Sequence, residues 1–455
     1  MSNQSDGSPN GDLRVPWSRS ERPVPRAVVR PLQSFLETEI ASGVVLLAAA
    51  IVAQLWANAP WGDSYQRLWG IDLTIGLGSF SITDDLQGWV NDGLMSLFFL
   101  VVGLEIKREL LTGELRDRRA AVLPVVAAIG GMVVPALVYL AITAGSAGSR
   151  GWGVAMPTDI AFALGVLVLA APRAPASLRV FLLALAIVDD LGTIVVVAVF
   201  YSHGVEWGAL LAAVAIVIAF VGLQRIHVRA SLVYVGLGVG LWLAFHEAGI
   251  SPTLAGVAVG LLTPAVPFQR PSAVSEEAHR VADETVDDPF PPDADAAQWL
   301  YLAHLSREAV SPLARVESVL HPWTSFVVVP LFALANAGIV LSGEVMGTAV
   351  TSREVGGIVA ARVLGKLVGI SLACWVAVRL GAAKLPAGAS WRHVAGVAMA
   401  AGVPFTVSLF IAELAFTSAD LLEAAKVGIL AAGVLAGLLG FALLRGAESR
   451  AGRGA

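Results

Sequence analysis

The chain has 455 residues, 56% of them hydrophobic and only 14% charged, with a formal net charge of −5 at pH 7. Soluble domains carry roughly a quarter charged residues, so this composition, with a mean hydropathy of +0.74, excludes an ordinary soluble globular protein. A single cysteine, Cys374, excludes a disulfide framework and a Cys-rich metal site.

Residues 1–30 are polar and Arg-bearing, and read as a disordered cytoplasmic tail rather than a signal peptide. From 31 to 446, apolar runs of about 20 residues recur, each long enough to cross a bilayer. Twelve candidate spans fall near 36–57, 87–106, 120–143, 152–170, 180–201, 207–224, 230–247, 251–266, 320–341, 354–378, 393–416 and 423–444. The expected fold class is therefore an all-α polytopic membrane protein with twelve transmembrane helices. With the N-terminus inside, the inner segments collect most of the 30 Lys and Arg residues and leave only Arg67, Arg150, Arg353 and Lys426 outside. The positive-inside rule then puts both termini in the cytoplasm.

The connecting pieces carry their own signals. Residues 69–83, "WGIDLTIGLGSFSIT", alternate and turn at Gly76-Leu77-Gly78, which predicts a small β-hairpin on the outer face. Residues 267–318 form a cytoplasmic loop whose acidic insert, 276–295, predicts disorder. The following "AAQWLYLAHL" predicts an interfacial helix. Residues 447–455 make a cytoplasmic C-terminal tail. The GxxxG pairs Gly236/Gly240, Gly256/Gly260 and Gly433/Gly437 predict close helix packing.

Ionisable residues within the spans are few: Asp92 and Glu105 on the second, Asp159 on the fourth, Asp189 and Asp190 on the fifth, Arg362 and Lys366 on the tenth, Glu413 near the end of the eleventh. Each costs several kcal/mol at bilayer depth unless paired or hydrated, so the default reading is functional. Counting from Arg179 at ~1.5 Å per residue, Asp190 lies about 16 Å along its helix, near the middle of the membrane. Lys366 and Asp159 fall at a similar depth. Adjacent Asp189 and Asp190 point about 100° apart, so one can face a cavity while the other meets a neighbour such as Lys366. Three midplane aspartates against one lysine leave negative charge for a proton or a cation to answer; the structural alternative is an ion pair that only holds the bundle together.

Two spans look interrupted. Pro157 breaks the fourth just before Thr158 and Asp159, and Gly402 with Pro404 interrupts the eleventh. Broken backbone at this depth survives only where protein or water satisfies it, and such half-helices carry partial charges at their ends. An aspartate near the N-terminal ends and a lysine near the C-terminal ends would balance them, with Asp159 and Lys366 as candidates. The breaks sit in the middle of triplets 3–5 and 10–12, which fits an inverted repeat. A carboxylate removed from water holds its proton to higher pH, and once bared it attracts a small hard cation. Proton and cation become rival occupants, and switching only when occupied gives exchange. More than one titrating group against a singly charged ion makes that exchange electrogenic.

The stretches "NDGLMSLFFLVVGLEIKREL", "AAIGGMVVPAL", "PTDIAFALG", "ALAIVDDLG", "HPW" at His321, "LFALANAG", "GKLVGIS" and "FTVSLFIA" resemble, in order, the NhaA family of bacterial sodium/proton antiporters over residues 31–446. The resemblance implies exchange of sodium or lithium ions for protons across the bacterial inner membrane, activated by pH and serving sodium and pH homeostasis. It implies Asp190 as principal cation and proton carboxylate, with Asp189 its partner, salt-bridged to Lys366 in one state. Asp189, Asp190 and Thr158 would hold the transported ion, with Asp159 beside Thr158 at the break and Asp92 as an accessory acid. Glu105, Arg108, Glu109 and Glu317 resemble the family's pH-regulating cytoplasmic groups, and 69–83 its homodimerising hairpin. The departures are Ser251-Pro252 before "TLAG", Pro404 at the second break and the acidic insert.

An intramembrane aspartyl protease would use two aspartates, such as Asp159 with Asp190, but the GxGD-type motif is missing and Lys366 would have no task. A passive cation channel could line its pore with acids, yet broken helices around a midplane site favour alternating access. Neither a GxxxxGK[ST] loop nor an HExxH helix occurs, so neither ATP drive nor zinc catalysis is expected. No cofactor or nucleic-acid partner is expected; the partners are the ions, the lipid bilayer and a second copy of the chain.

Overall fold

The computed structural model describes residues 39–77, 80–202, 204, 206–228, 230–284, 293–341, 343, 347 and 351–451. The expected N-terminal tail, the hairpin tip at 78–79, the centre of the acidic insert at 285–292 and the last four residues lie outside the described residues.

The chain is mostly helical. Helix α1 (Glu39–Ala57) and short α2 (Asp63–Trp69) lead into an antiparallel pair, β1 (Asp72–Leu77) and β2 (Phe80–Asp85). Then come α3 (Leu86–Leu111), α4 (Arg118–Ile142), a 3₁₀ helix over Ala147–Ala155, α5 (Ile160–Ala170), α6 (Ala176–Phe200), α7 (Trp207–Arg225), α8 (Ser231–Glu247) and α9 (Thr253–Leu262). After α10 (Pro271–Glu284) and α11 (Asp293–Glu308), the chain continues through α12 (Pro312–Asn336), α13 (Arg353–Arg379), α14 (Trp391–Ala400), α15 (Thr406–Ala415) and α16 (Ala419–Ala451). Side chains start several of these helices by accepting orphan N–H groups: Asp117 for α4, Glu206 for α7, Ser311 for α12 and Ser352 for α13.

Among the described residues, seven helices (α3, α4, α6, α7, α12, α13 and α16) are long and apolar enough to cross a membrane. The 3₁₀ segment and α5, bent by 52° at their break, make an eighth span if counted together. Each of the twelve expected segments coincides with a helix or a helix pair, but α8, α9, α15 and the apolar part of α1 are shorter, so length and composition establish seven or eight. The protein is an α-helical multi-pass membrane protein with one small sheet.

Several local readings need correction. Gly76 pairs with Ser81 and Leu77 with Phe80, so Gly76 and Leu77, expected in the turn, belong to the strand. Residues 276–284 of the acidic insert, expected to be disordered, are part of α10. There Arg280 bonds Glu277 at 2.5 Å and Glu284 at 2.6 Å, holding the Glu277 carboxyl below its ordinary range. Val274 and Val281, seven residues apart, pack with Leu302 of α11 and bury a seam that the acid content concealed. Residues 447–451 of the expected tail are helical, because α16 runs to Ala451.

Of the three GxxxG pairs, only Gly256/Gly260 makes a close approach. A Cβ on Gly256 would stand 2.1 Å from Ser96 O, and one on Gly260 2.6 Å from Leu100 O, so α9 lies directly on the α3 backbone. Gly236 has nothing within 4 Å, and Gly433 and Gly437 make ordinary contacts.

The buried apolar residues form two main clusters. One holds Val154, Ala155, Ile194, Val197, Ile358, Ala361, Phe405 and Leu409; the other holds Ala163, Leu167, Leu182, Leu185, Ile370, Cys374, Val397 and Ala401. Six chain segments pass from one cluster to the other: α4, the bent pair, α6, α13, the α14–α15 pair and α16. In four of them the residues at the crossing are polar or helix-breaking: Thr158 and Asp159, Asp189 and Asp190, Arg362 and Lys366, Gly402 to Pro404. The fold thus inserts one polar layer between two apolar ones.

Because α9 touches α3 backbone to backbone, Gly256→Leu is expected to lower the thermal unfolding midpoint of the detergent-purified protein, overpacking costing about 1–3 kcal/mol. Gly236→Leu, facing open space, should leave the midpoint in place. Equal midpoints for the two variants would contradict this packing.

Candidate functional site

The site is built where two broken helices meet. Pro157 has no N–H with which to continue the helix, and the chain runs non-helical over 157–159 before α5 begins, although Met156 itself keeps helical dihedrals. Between α14 and α15 the break covers 401–405. Gly402 is required there: a Cβ would stand 2.6 Å from Arg362 O and 2.9 Å from Met399 O. The breaks touch directly, since Asp159 N donates to Val403 O at 3.4 Å and Thr158 Oγ1 lies 3.0 Å from Ala401 O.

Asp159 serves both helix starts. Its Oδ1 accepts from Phe162 N of α5 at 3.3 Å, and its Oδ2 accepts from Thr406 N at 3.3 Å and Thr406 Oγ1 at 3.0 Å, at the start of α15. One carboxylate therefore answers the positive ends of two half-helices.

The carbonyl end is met by Arg362, which is fully buried. Its guanidinium donates to Val154 O at 2.5 Å, to Pro157 O and to Ser408 Oγ in the first turn of α15. A widened π-helical turn over Ala361–Gly365 precedes Lys366, whose backbone N–H donates to Ala361 O. Lys366, also fully buried, donates from Nζ to Asp189 Oδ2 at 2.7 Å and to Thr158 Oγ1 at 3.0 Å. The Thr158 hydroxyl has a single hydrogen, for Asp189 Oδ2 at 2.6 Å or for Ala401 O.

The two aspartates of α6 differ. Asp189 is held by Lys366 and Thr158 on Oδ2 and leaves Oδ1 unpartnered. Asp190 Oδ1 is buried with no hydrogen-bond partner. The negative charges of Asp189, Asp159 and Glu105 bear on Asp190, and Lys366 opposes them. One turn further, Thr193 Oγ1 is also buried and unpartnered, on a small cleft shared with Phe99, Thr253 and Phe410. These oxygens are of the kind that a small hard cation prefers.

Against this geometry, residues 33–444 match a family described as Na+/H+ antiporter 1. A relative from Sorangium cellulosum, Na(+)/H(+) antiporter NhaA 2, is 45% identical over 94% of this chain and 92% of its own length. Na(+)/H(+) antiporter NhaA from Cupriavidus necator is 44% identical over 92% of each chain. The chain belongs to the NhaA family of Na+/H+ antiporters. Na(+)/H(+) antiporter NhaA 3 from Frankia alni is 45% identical over 92% of this chain and 89% of its own.

In this NhaA-family protein, the other expected site residues fall elsewhere. Asp92 is apart from the crossing; it lines a separate cleft with Asp84, Trp89, Trp242 and His246, where the Trp89, Trp242 and His246 rings stack. The four expected regulatory residues divide. Arg108 pairs with the buried Glu317 across α3 and α12. Glu109 accepts from Glu114 N at 3.0 Å and caps the turn after α3, while Glu105 bears on Asp190. Lys107 caps the end of α9, donating to Leu261 O and Thr263 O.

Sequence reasoning missed two things. It did not connect Arg362 with the break carbonyls, although Arg362 lies one turn before Lys366. It also missed a second polar network in which Gln87 donates to Asn336 Oδ1 and Glu413 Oε1, Asn336 to Asn91 Oδ1, and Lys426 pairs with Glu413 at 2.7 Å.

Lys366→Ala strands a buried Asp189 carboxylate and is expected to cost about 3–5 kcal/mol, read as a lowered thermal unfolding midpoint. Adding Asp189→Asn should recover most of the loss. A double variant as unstable as the single would show that the pair does not carry this energy.

Proposed function

We propose that this protein exchanges sodium or lithium ions for protons across the bacterial inner membrane, electrogenically and with activation at alkaline pH, in the service of sodium and pH homeostasis. One observation carries the reading: at the crossing of two broken helices, Asp190 is a buried carboxylate with no hydrogen-bond partner beside an Asp189 that Lys366 has already neutralised. An uncompensated charge at that depth calls for an occupant, and only a proton or a small cation fits a carboxylate so enclosed. Asp190 is the principal site, with Asp189 and the Thr158 hydroxyl completing the cation's oxygens.

The proton count follows. A cation drawn between Asp190 and Asp189 displaces the Asp190 proton and frees Lys366 from Asp189. Once unpaired, the buried ammonium sheds its own proton. Two protons then leave for one singly charged ion, and each cycle moves one net charge. Asp159 holds the two half-helix starts in place during the change. Asp92, on its outer cleft, is an accessory acid; Glu105, Arg108, Glu109 and Glu317 set the pH of activation from the inner side.

The membrane arrangement belongs to the same reading: twelve spans, both termini cytoplasmic. In its support, the basic residues Arg118, Arg179, Arg379, Arg392 and Arg445 all lie at the same end of their helices relative to the two apolar clusters. Segments 3, 4 and 5 cross the clusters in the opposite sense to 10, 11 and 12, which supports an inverted repeat. A homodimer through 69–83 is favoured by exposed Leu73 and Ile75 on one face of β1.

In everted vesicles, sodium should collapse a preset pH gradient and the response should saturate. Asp190→Asn is expected to abolish it at every pH with the protein still present in the membrane; wild-type exchange by that variant would move the site elsewhere. In the range where the proton competes, the apparent KM for sodium should fall about tenfold per pH unit for each competing proton. A pH-independent KM would sink the competition. A potential-sensitive dye should respond to sodium, and silence would refute the two-to-one count.

A further inference from the structure

Among the charges fully buried at the crossing, the exchange proposed above leaves Arg362 without a task. Its side chain touches neither Asp190 nor any oxygen proposed for the cation. It reaches Val154 O and Pro157 O, at the carbonyl end of the first half of the fourth span, and Ser408 Oγ across the crossing. Lys366 reaches no carbonyl of either break; Asp189 and Thr158 take its hydrogen bonds. Two cations one turn apart on α13 thus divide two tasks that a single cation would have to share.

The chemistry of the two side chains suits that division. A guanidinium keeps its proton at any pH a membrane protein meets and offers several donors in a planar fork, which can hold two carbonyls and a hydroxyl at once. An ammonium is a point charge on a flexible stem and loses its proton readily when buried. We propose that Arg362 is the fixed positive charge answering the carbonyl end of the broken fourth span, and that it thereby releases Lys366 to serve as the movable, proton-releasing partner of Asp189. Arg362 is a positioning residue, acting through Lys366 and Asp189. The inference rests on the exchange reading, which the Asp190→Asn comparison tests separately.

The charges that face Arg362 are few. Asp159 at the break and Asp189 on α6 attract it, and Lys366 on its own helix repels it. Among the other packed elements, α4 carries Arg118 and Arg119 only at its inner start, and α14 carries Arg392 and His393 likewise. Glu413 of α15 is paired with Lys426 of α16. Removing the Arg362 charge therefore leaves the carboxylates of the crossing with less positive charge to oppose them, and the site's grip on protons strengthens.

The test uses the full chain in everted vesicles, with wild type exchanging and Asp190→Asn inactive as the frame. Arg362→Gln keeps a neutral donor and removes the charge. Its exchange profile is expected to move alkaline by about one pH unit, the scale of losing a nearby opposite charge. Arg362→Lys restores a charge that can itself be released, so its profile should lie between those of wild type and Arg362→Gln. An unshifted profile in Arg362→Gln, with only the rate or the protein amount reduced, overturns the proposal in favour of a purely structural cap. If Arg362→Gln fails to accumulate, Arg362→Lys decides: normal accumulation with a profile moved alkaline by less than about one pH unit supports a charge role. An unshifted profile at reduced rate, or failure of this variant as well, shows that the guanidinium's shape is what the fold uses and overturns it. Were wild type itself silent, or Asp190→Asn active, the exchange reading would fall and this inference with it.

Discussion

A helix cannot be interrupted in lipid unless the backbone groups it frees find partners, and the centre of this protein is organised around that constraint. Two helices are broken at the same level, and each offers N–H groups at one end and carbonyls at the other. Asp159 takes N–H groups from both starts, Arg362 takes Val154 O and Pro157 O, and the Thr158 hydroxyl stands by Ala401 O. Because two of these partners are ionised, solving the backbone problem creates a charge problem. A buried ion is tolerable only with a counter-ion and hydrogen bonds. Asp189, Lys366 and Thr158 form the next ring of that compensation. The polar layer is confined by the apolar clusters on either side, so no partner can be traded for bulk water without a change in how the segments pack.

What the sequence made legible followed from anomaly. An acid in an apolar run is conspicuous whatever surrounds it, so Asp189, Asp190, Asp159 and Lys366 stood out, as did Pro157 and the Gly402–Pro404 pair. Depth and charge alone made it foreseeable that one of the two aspartates meets Lys366; that it is Asp189 followed only from the family resemblance. Rotation and partner choice were not. Depth placed Asp92 in one list with the other acids, but the face of α3 that carries it looks toward Trp242 and His246 of α8. Arg362 was equally conspicuous, yet its task depends on which carbonyls lie within its reach, and those belong to a break more than 200 residues earlier. Composition misled at the insert: acids signalled disorder over 276–284, whereas Val274 and Val281 at heptad spacing were enough to seat α10 on α11. Counting by length and composition stops at seven or eight spans, because a short helix such as α9 depends on glycine contact with α3 rather than on length.

The charges at the crossing can now be counted differently from the sequence alone. Asp159, Asp189 and Asp190 face Lys366 and also Arg362, so one negative charge is uncompensated, not two. Asp159 is satisfied by the helix starts and Asp189 by Lys366 and Thr158, which leaves the deficit on Asp190, where Oδ1 lacks a partner. While Lys366 stays protonated, a single proton or a single monovalent cation makes the crossing neutral; once Lys366 has lost its own proton, the cation-bound crossing is one charge more negative than the protonated one. A second proton enters the exchange only if Lys366 leaves Asp189, which costs the pair unless the incoming cation takes the vacated carboxylate. Coupling in this scheme is a competition for the same carboxylates in a medium that cannot supply counter-ions: the cation can be held by both aspartates only as Lys366 gives up its claim. Arg362 matters to that balance because its charge cannot move, and so the adjustment falls to Lys366.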